Sequence, residues 1–246
     1  MISTVDAEAA RGFHQACRSA SVTSAAGLQA LWGAVTQRLD GHAAPQFGLT
    51  IAGRPAELPG IESALGMFMN TLPVAWQAEG RDSVRHWLST AAGNALDLID
   101  NGMIPQSQLN RMAGISDGEA LYDSYLIYQN APSADTGEET GDFDLVDEPT
   151  GGYSQQEHRL RLDVFPADTG RLHMSLSGYE PQHRLREYLG LLTGGVLTMD
   201  ASVIDKPMST ILDAGPALPP VVATDSLVEA MVRDTPFEVL KGEAGE

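Results

Sequence analysis

Apolar residues recur in this chain with two periods, one helical and one strand-like, and the switches between them mark its elements. Over 6–20, Ala9, Phe13, Ala16 and Cys17 fall on one helical face. A second stripe, Leu28, Leu31, Trp32, Val35 and Leu39, follows Thr23, whose hydroxyl suits a helix N-cap, and Asp40-Gly41 closes it. Residues 47–51 read as a strand. A further helix is expected over 83–99, with Val84, Trp87, Leu88, Ala91, Ala95 and Leu98 inward and Asn101-Gly102 as its stop. Pro105 then opens a short helix to Met112. Residues 121–130, rich in aromatic and β-branched side chains, read as another strand.

The clearest period-two signal comes next. Leu160, Leu162 and Val164 alternate with Arg159, Arg161 and Asp163, and Leu172, Met174 and Leu176 alternate with Arg171, His173 and Ser175. With Pro166 to Gly170 as the turn, this is a hairpin with one face on the core and one face wet, and the wet face would carry Arg159, Arg161 and His173. A helix over 181–199 follows, with Leu185, Leu189, Leu192 and Val196 on one side. Mixed strands with helices gathered to one side give an α+β fold, a two-layer α/β sandwich in one lobe over 1–212. Residues 213–246 read as a Pro-rich tail with a short amphipathic helix near 227–232. The stretch 133–152 is an acidic, Gly/Ser/Thr-rich surface loop whose carboxylates lack the spacing of a calcium loop.

Composition narrows the function classes. A net charge of −18 over 246 residues leaves nothing to attract a phosphate backbone or an anionic membrane. A single cysteine, Cys17, excludes an intramolecular disulfide and a cysteine-rich metal centre, and its helical setting reads as packing. No long apolar run and no basic-then-apolar leader is visible, which is the pattern of a cytoplasmic protein. Cys-x-x-Cys, His-Glu-x-x-His and phosphate-loop patterns are missing, and the six histidines are scattered. No catalytic constellation and no metal site is expected from these residues alone.

One segment stands apart. Residues 51–74, IAGRPAELPGIESALGMFMNTLPV, hold three glycines and three prolines in 24 residues. Gly53-Arg54-Pro55-Ala56-Glu57-Leu58-Pro59-Gly60 and Leu65-Gly66-Met67-Phe68-Met69-Asn70-Thr71-Leu72-Pro73 resemble two runs found in the condensation domains of nonribosomal peptide synthetases. Leu121-Tyr122-Asp123-Ser124-Tyr125-Leu126-Ile127-Tyr128-Gln129-Asn130 is similar to that family's "LFDSLFVFEN" strand. The likeness extends in family order over about 3–212.

The resemblance implies a chloramphenicol-acetyltransferase-like lobe, the C-terminal one of the family's two. Residues 53–73 would then form the floor loop and helix that cross between lobes, with Gly53, Arg54, Pro55, Gly66, Phe68, Asn70 and Thr71 in the floor and Ser124 in the tunnel wall. The family's His-His-x-x-x-Asp-Gly signature belongs to the other lobe, and no His-His pair occurs here. The implied role is half of a split condensation enzyme that joins carrier-bound substrates by an amide bond. A separate N-terminal lobe would complete it, and the isolated chain would be inactive. The alternative is a non-catalytic scaffold or carrier-protein-binding protein. The implied cofactor is a phosphopantetheine arm on a partner carrier protein, with none bound directly. Carrier-protein docking falls to Arg159, Arg161, Arg184 and Arg186, and self-association through a bared lobe face is a further expectation. An independent acyltransferase using His158 or His173 as base ranks last, since both read as exposed strand positions.

Overall fold

The computed structural model describes residues 1–41, 46–54, 58–61, 63–75, 78–114, 121–129, 159–167 and 170–214. The expected acidic loop, the tail helix, His158 and Pro55 lie outside them. The order is β1 (Ile2–Val5), α1 (Arg11–Ser19), α2 (Ser24–Asp40), β2 (Gln46–Ile51), β3 (Asn70–Ala75), α3 (Val84–Asn101), α4 (Gln106–Ala113), β4 (Ser124–Tyr128), β5 (Leu160–Pro166), β6 (Leu172–Gly178), α5 (Gln182–Thr198) and α6 (Met208–Asp213).

The strands form one six-stranded sheet in the order β1-β6-β5-β4-β2-β3, with β2–β4 and β4–β5 parallel and the other pairs antiparallel. The period-two pattern puts Phe47, Leu49, Leu126, Leu160, Leu162 and Leu176 on one face, all buried. Helices α1, α2 and α5 cover that face. The central one is α2, which is buried from Ala26 to Thr36 and therefore apolar nearly all round, as a helix packed on several sides must be. Its start is fixed by Thr23, whose hydroxyl accepts a hydrogen bond from the Ala26 amide at 3.1 Å; its end is fixed by Gly41 in the left-handed conformation (φ 71°). The fold is the expected α+β two-layer sandwich.

Three elements depart from the expectations. Residues 2–5 pair with β6 as an edge strand, so the first helix starts at Arg11 and not near residue 6. Residues 70–75 form the opposite edge strand on β2, where a crossing loop and helix were expected throughout 53–73. Pro73 is tolerated there because an edge strand has one side free of ladder bonds. Helix α6 caps the lobe beyond Pro207, with Met208, Ile211 and Leu212 buried.

Candidate functional site

Between β2 and β3 the described residues carry no regular structure from Ala52 to Met69. Gly53 sits at φ 61°, and a Cβ there would lie 1.8 Å from the Phe68 carbonyl oxygen, so the two stems of the segment touch only because residue 53 is glycine. The Arg54 guanidinium donates to the Ile61 carbonyl and lies 4.4 Å from the centroid of the Phe68 ring, clamping the segment from within. Where the chain re-enters the sheet, the Asn70 amide donates to the carbonyls of Gly102 and Ile104, both at 2.9 Å. The Thr71 hydroxyl pairs with that of Thr50 at 2.9 Å. The outward side chains are apolar: Leu65 and Met67 are 100% and 95% exposed, and Met69, Met103 and Ile99 are exposed as well.

Ser124 is not brought to this segment. Gly48 is level with Tyr125 across the β2–β4 ladder, which puts Ser124 level with Phe47. Ile51 lies four residues further along, roughly 13 Å at about 3.3 Å per residue. Ser124 is instead buried at the opposite end of the sheet, where it lines a polar cleft of about 180 Å³ with Asp40, Gln46, Tyr122, Asp123 and Arg159.

Behind that cleft stands an ion cluster that period-two reading misplaced. Arg159 was expected on the wet face; it stands one residue before β5. There it donates to Asp40 at 2.7 Å, to Glu180 at 2.7 Å and to the Tyr188 hydroxyl at 3.0 Å. Burial would lower its pKa, but these bonds outweigh burial and raise it, so its charge is locked on. The Tyr188 hydroxyl in turn donates to Asp40 and accepts from Arg184 at 3.2 Å; burial first, then the bond to Asp40, raises its pKa. Arg161 does face away from the helices, but its fork is closed on Asp163 at 2.6 and 2.9 Å. Arg184 also bonds Glu187 at 2.8 Å. Of the four arginines expected to dock a carrier protein, Arg186 alone is exposed without an ion pair among the described residues.

Sequence reasoning missed Asp40, Glu180 and Tyr188. The available signal was Tyr188 itself, a phenol on the otherwise aliphatic face of α5, because a buried phenol needs a hydrogen-bond partner. The pentapeptide Gly114-Ile115-Ser116-Asp117-Gly118 spells Gly-x-Ser-x-Gly, but a nucleophile elbow turns from a strand into a helix. Here Gly114 is the left-handed cap of helix α4, and 115–118 lie outside the described residues. His173 shares a hydrogen bond with Thr4 at 3.0 Å, and burial lowers its pKa. Among the described residues no group of three or more His, Cys, Asp or Glu is placed to hold a metal ion, and no helix is long and apolar enough to cross a membrane.

Residues 1–182 match the family model of the Condensation domain. This chain belongs to the condensation domain family. The condensation-family chain is 27% identical over 182 residues to one of the linear gramicidin synthase proteins of Brevibacillus parabrevis, covering 74% of this chain and 4% of that protein. It is 25% identical over 207 residues to surfactin synthase subunit 3 of Bacillus subtilis, covering 82% of this chain and 16% of that one. Its fold is that of solved condensation domains and is chloramphenicol-acetyltransferase-like. The condensation domain of the monacolin K polyketide synthase MokA superposes with a TM-score of 0.68 at 14% identity, over 85% of this chain and 48% of that one. For the first condensation domain of the calcium-dependent antibiotic synthetase in complex with a substrate analogue the TM-score is 0.63 at 13% identity, over 84% and 46%. The chain therefore spans less than half of each of these solved domains and a small part of the synthetases it resembles.

Proposed function

We propose that this chain is the C-terminal lobe of a condensation domain and works in nonribosomal peptide synthesis with a separate lobe that carries His-His-x-x-x-Asp-Gly. The observation that supports assignment to this lobe is a condensation-family match over residues 1–182 in a stretch that holds the floor-segment runs and no His-His pair. In it, the lobe supplies the floor segment around Gly53, Arg54, Pro55, Gly66, Phe68, Asn70 and Thr71 and a wall at Ser124, and the partner lobe supplies the general base. Both substrates arrive on phosphopantetheine arms of carrier proteins, and Arg186 is the best-presented of the docking cations. Residues 1–212 are the lobe and 213–246 its tail.

Mixing the purified chain with the His-His-x-x-x-Asp-Gly lobe of its own synthetase, and with acyl- and aminoacyl-loaded carrier proteins, tests the reading. Amide product should form with both lobes present. With this chain alone the rate should fall by at least the roughly 10²–10⁴-fold that a positioned general base contributes. Turnover by the chain alone would overturn the split reading, and so would failure to bind or activate any such lobe.

A further inference from the structure

We propose that the polar cleft at Ser124 is a subsite for a small ligand bearing a primary ammonium group. Ser124 is 2% exposed, yet its hydroxyl has no hydrogen-bond partner among the described residues and is not among the sealed, unsatisfied buried atoms. A buried hydroxyl without a protein partner that lines a cleft is an acceptor and donor held ready for whatever enters.

The charges around it select the sign of that ligand. Arg159, the only cation lining the cleft among the described residues, has its guanidinium committed to Asp40, Glu180 and Tyr188, and its remaining nitrogen lies 3.9 Å from Asp123. An anion would have to break those bonds. Asp123, with its side chain 63% exposed and no hydrogen bond to its carboxylate among the described residues, keeps its carboxylate oxygens available, and Asp40 forms the inner wall. Arg184 adds no free charge, because it is closed on Glu187 and Tyr188. An ammonium group offers three donors, and the cleft offers the Asp123 carboxylate and the unpartnered Ser124 hydroxyl to receive two of them, with the Asp40 carboxylate, already bonded to Arg159 and Tyr188, behind. The volume of about 180 Å³ admits a few heavy atoms and no bulky side chain. The preference for a cation rests on the cleft alone; taking an amine-bearing condensation substrate as its natural occupant rests on the function proposed above.

The test is a titration of the full chain with glycinamide, followed by amide chemical shifts, against N-acetylglycinamide, which has the same amide without the charge, and against acetate. Glycinamide should move the signals of Ser124, Asp123 and Asp40 and leave those of the 58–69 segment in place. Ser124→Ala and Asp123→Asn should each weaken binding by about three- to tenfold, the size of one hydrogen bond. Both variants should keep the wild-type thermal unfolding, Asp123 being exposed. The proposal is overturned if no shift occurs up to about 50 mM, if N-acetylglycinamide or acetate binds equally well, or if Ser124→Ala binds as the parent does. The titration needs no second lobe, so its failure and the failure of the condensation assay are separate results.

Discussion

Cys17 shows how one side chain answers to its surroundings. Burial against Phe13 and Gly27 pushes its thiol up from 9.0 to about 12, and burial likewise pushes Tyr122 up to about 12. The thiolate is the reactive form, so native Cys17 should resist thiol reagents at neutral pH and react only as the lobe opens. The same shift sets an alkaline limit. The unfolded chain releases the Cys17 proton near 9.0 and the folded chain near 12, so between those values the unfolded state binds fewer protons and stability falls as pH rises. Tyr122 adds to this above its ordinary 10.0. The expected outcome is a urea midpoint that is level near pH 8 and declines by pH 10–11, with loss of midpoint and gain of thiol labelling in step. A midpoint that is flat through this range contradicts the assignment.

At the scale of elements, the helices rest on short signals with measurable weight. Thr23→Ala removes the acceptor for the Ala26 amide and should cost about 1 kcal/mol in urea unfolding, while Thr23→Ser should cost far less. The same cap was legible in the sequence, as were α2, α3, α5 and the β5–β6 hairpin, because each spans enough residues for its period to show. Strand β1 has four residues, too few for a period to declare itself. Strand β3 puts only Leu72 and Val74 into the core, with Pro73 between them, so its pattern was indistinguishable from an irregular crossing. The candidate site was legible in part. The resemblance gathered Arg54, Asn70 and Thr71 into one segment, and the structure shows what each touches there: Arg54 bonds within its own loop, and Asn70 and Thr71 hold the point of re-entry. The partners of Arg159 are Asp40, far earlier in the chain, and Glu180 across the hairpin, and no local period connects such positions. Ser124 and the 53–69 segment were joined in the sequence only through the family resemblance, and the β2–β4 register sets them at opposite ends of the sheet.

For the molecule as a whole, the net charge of −18 is a standing repulsion that folding concentrates on a small surface. Raising sodium chloride from about 0.05 to 0.5 M shortens the screening length severalfold and should therefore raise the thermal midpoint. A midpoint lowered by salt would show that the ion pairs around Arg159 outweigh the global repulsion. The sheet order has a consequence of another kind, in time. Strand β1 is the first of these elements to leave the ribosome, and its neighbour in the sheet is the last strand: Ile2 lies opposite Ser175. At about 5–20 residues per second the intervening chain takes roughly 10–35 s to synthesise, and a further delay follows while β6 clears the exit tunnel. Until then the hydrogen-bonding edge of Ile2–Val5 has no native mate, and its core face lacks helix α5 (Gln182–Thr198), which packs on β1 and β6. In a chain wired in this way β1 can take its place only after β6 has emerged, and during that interval its edge depends on whatever shields nascent polypeptides in the cell.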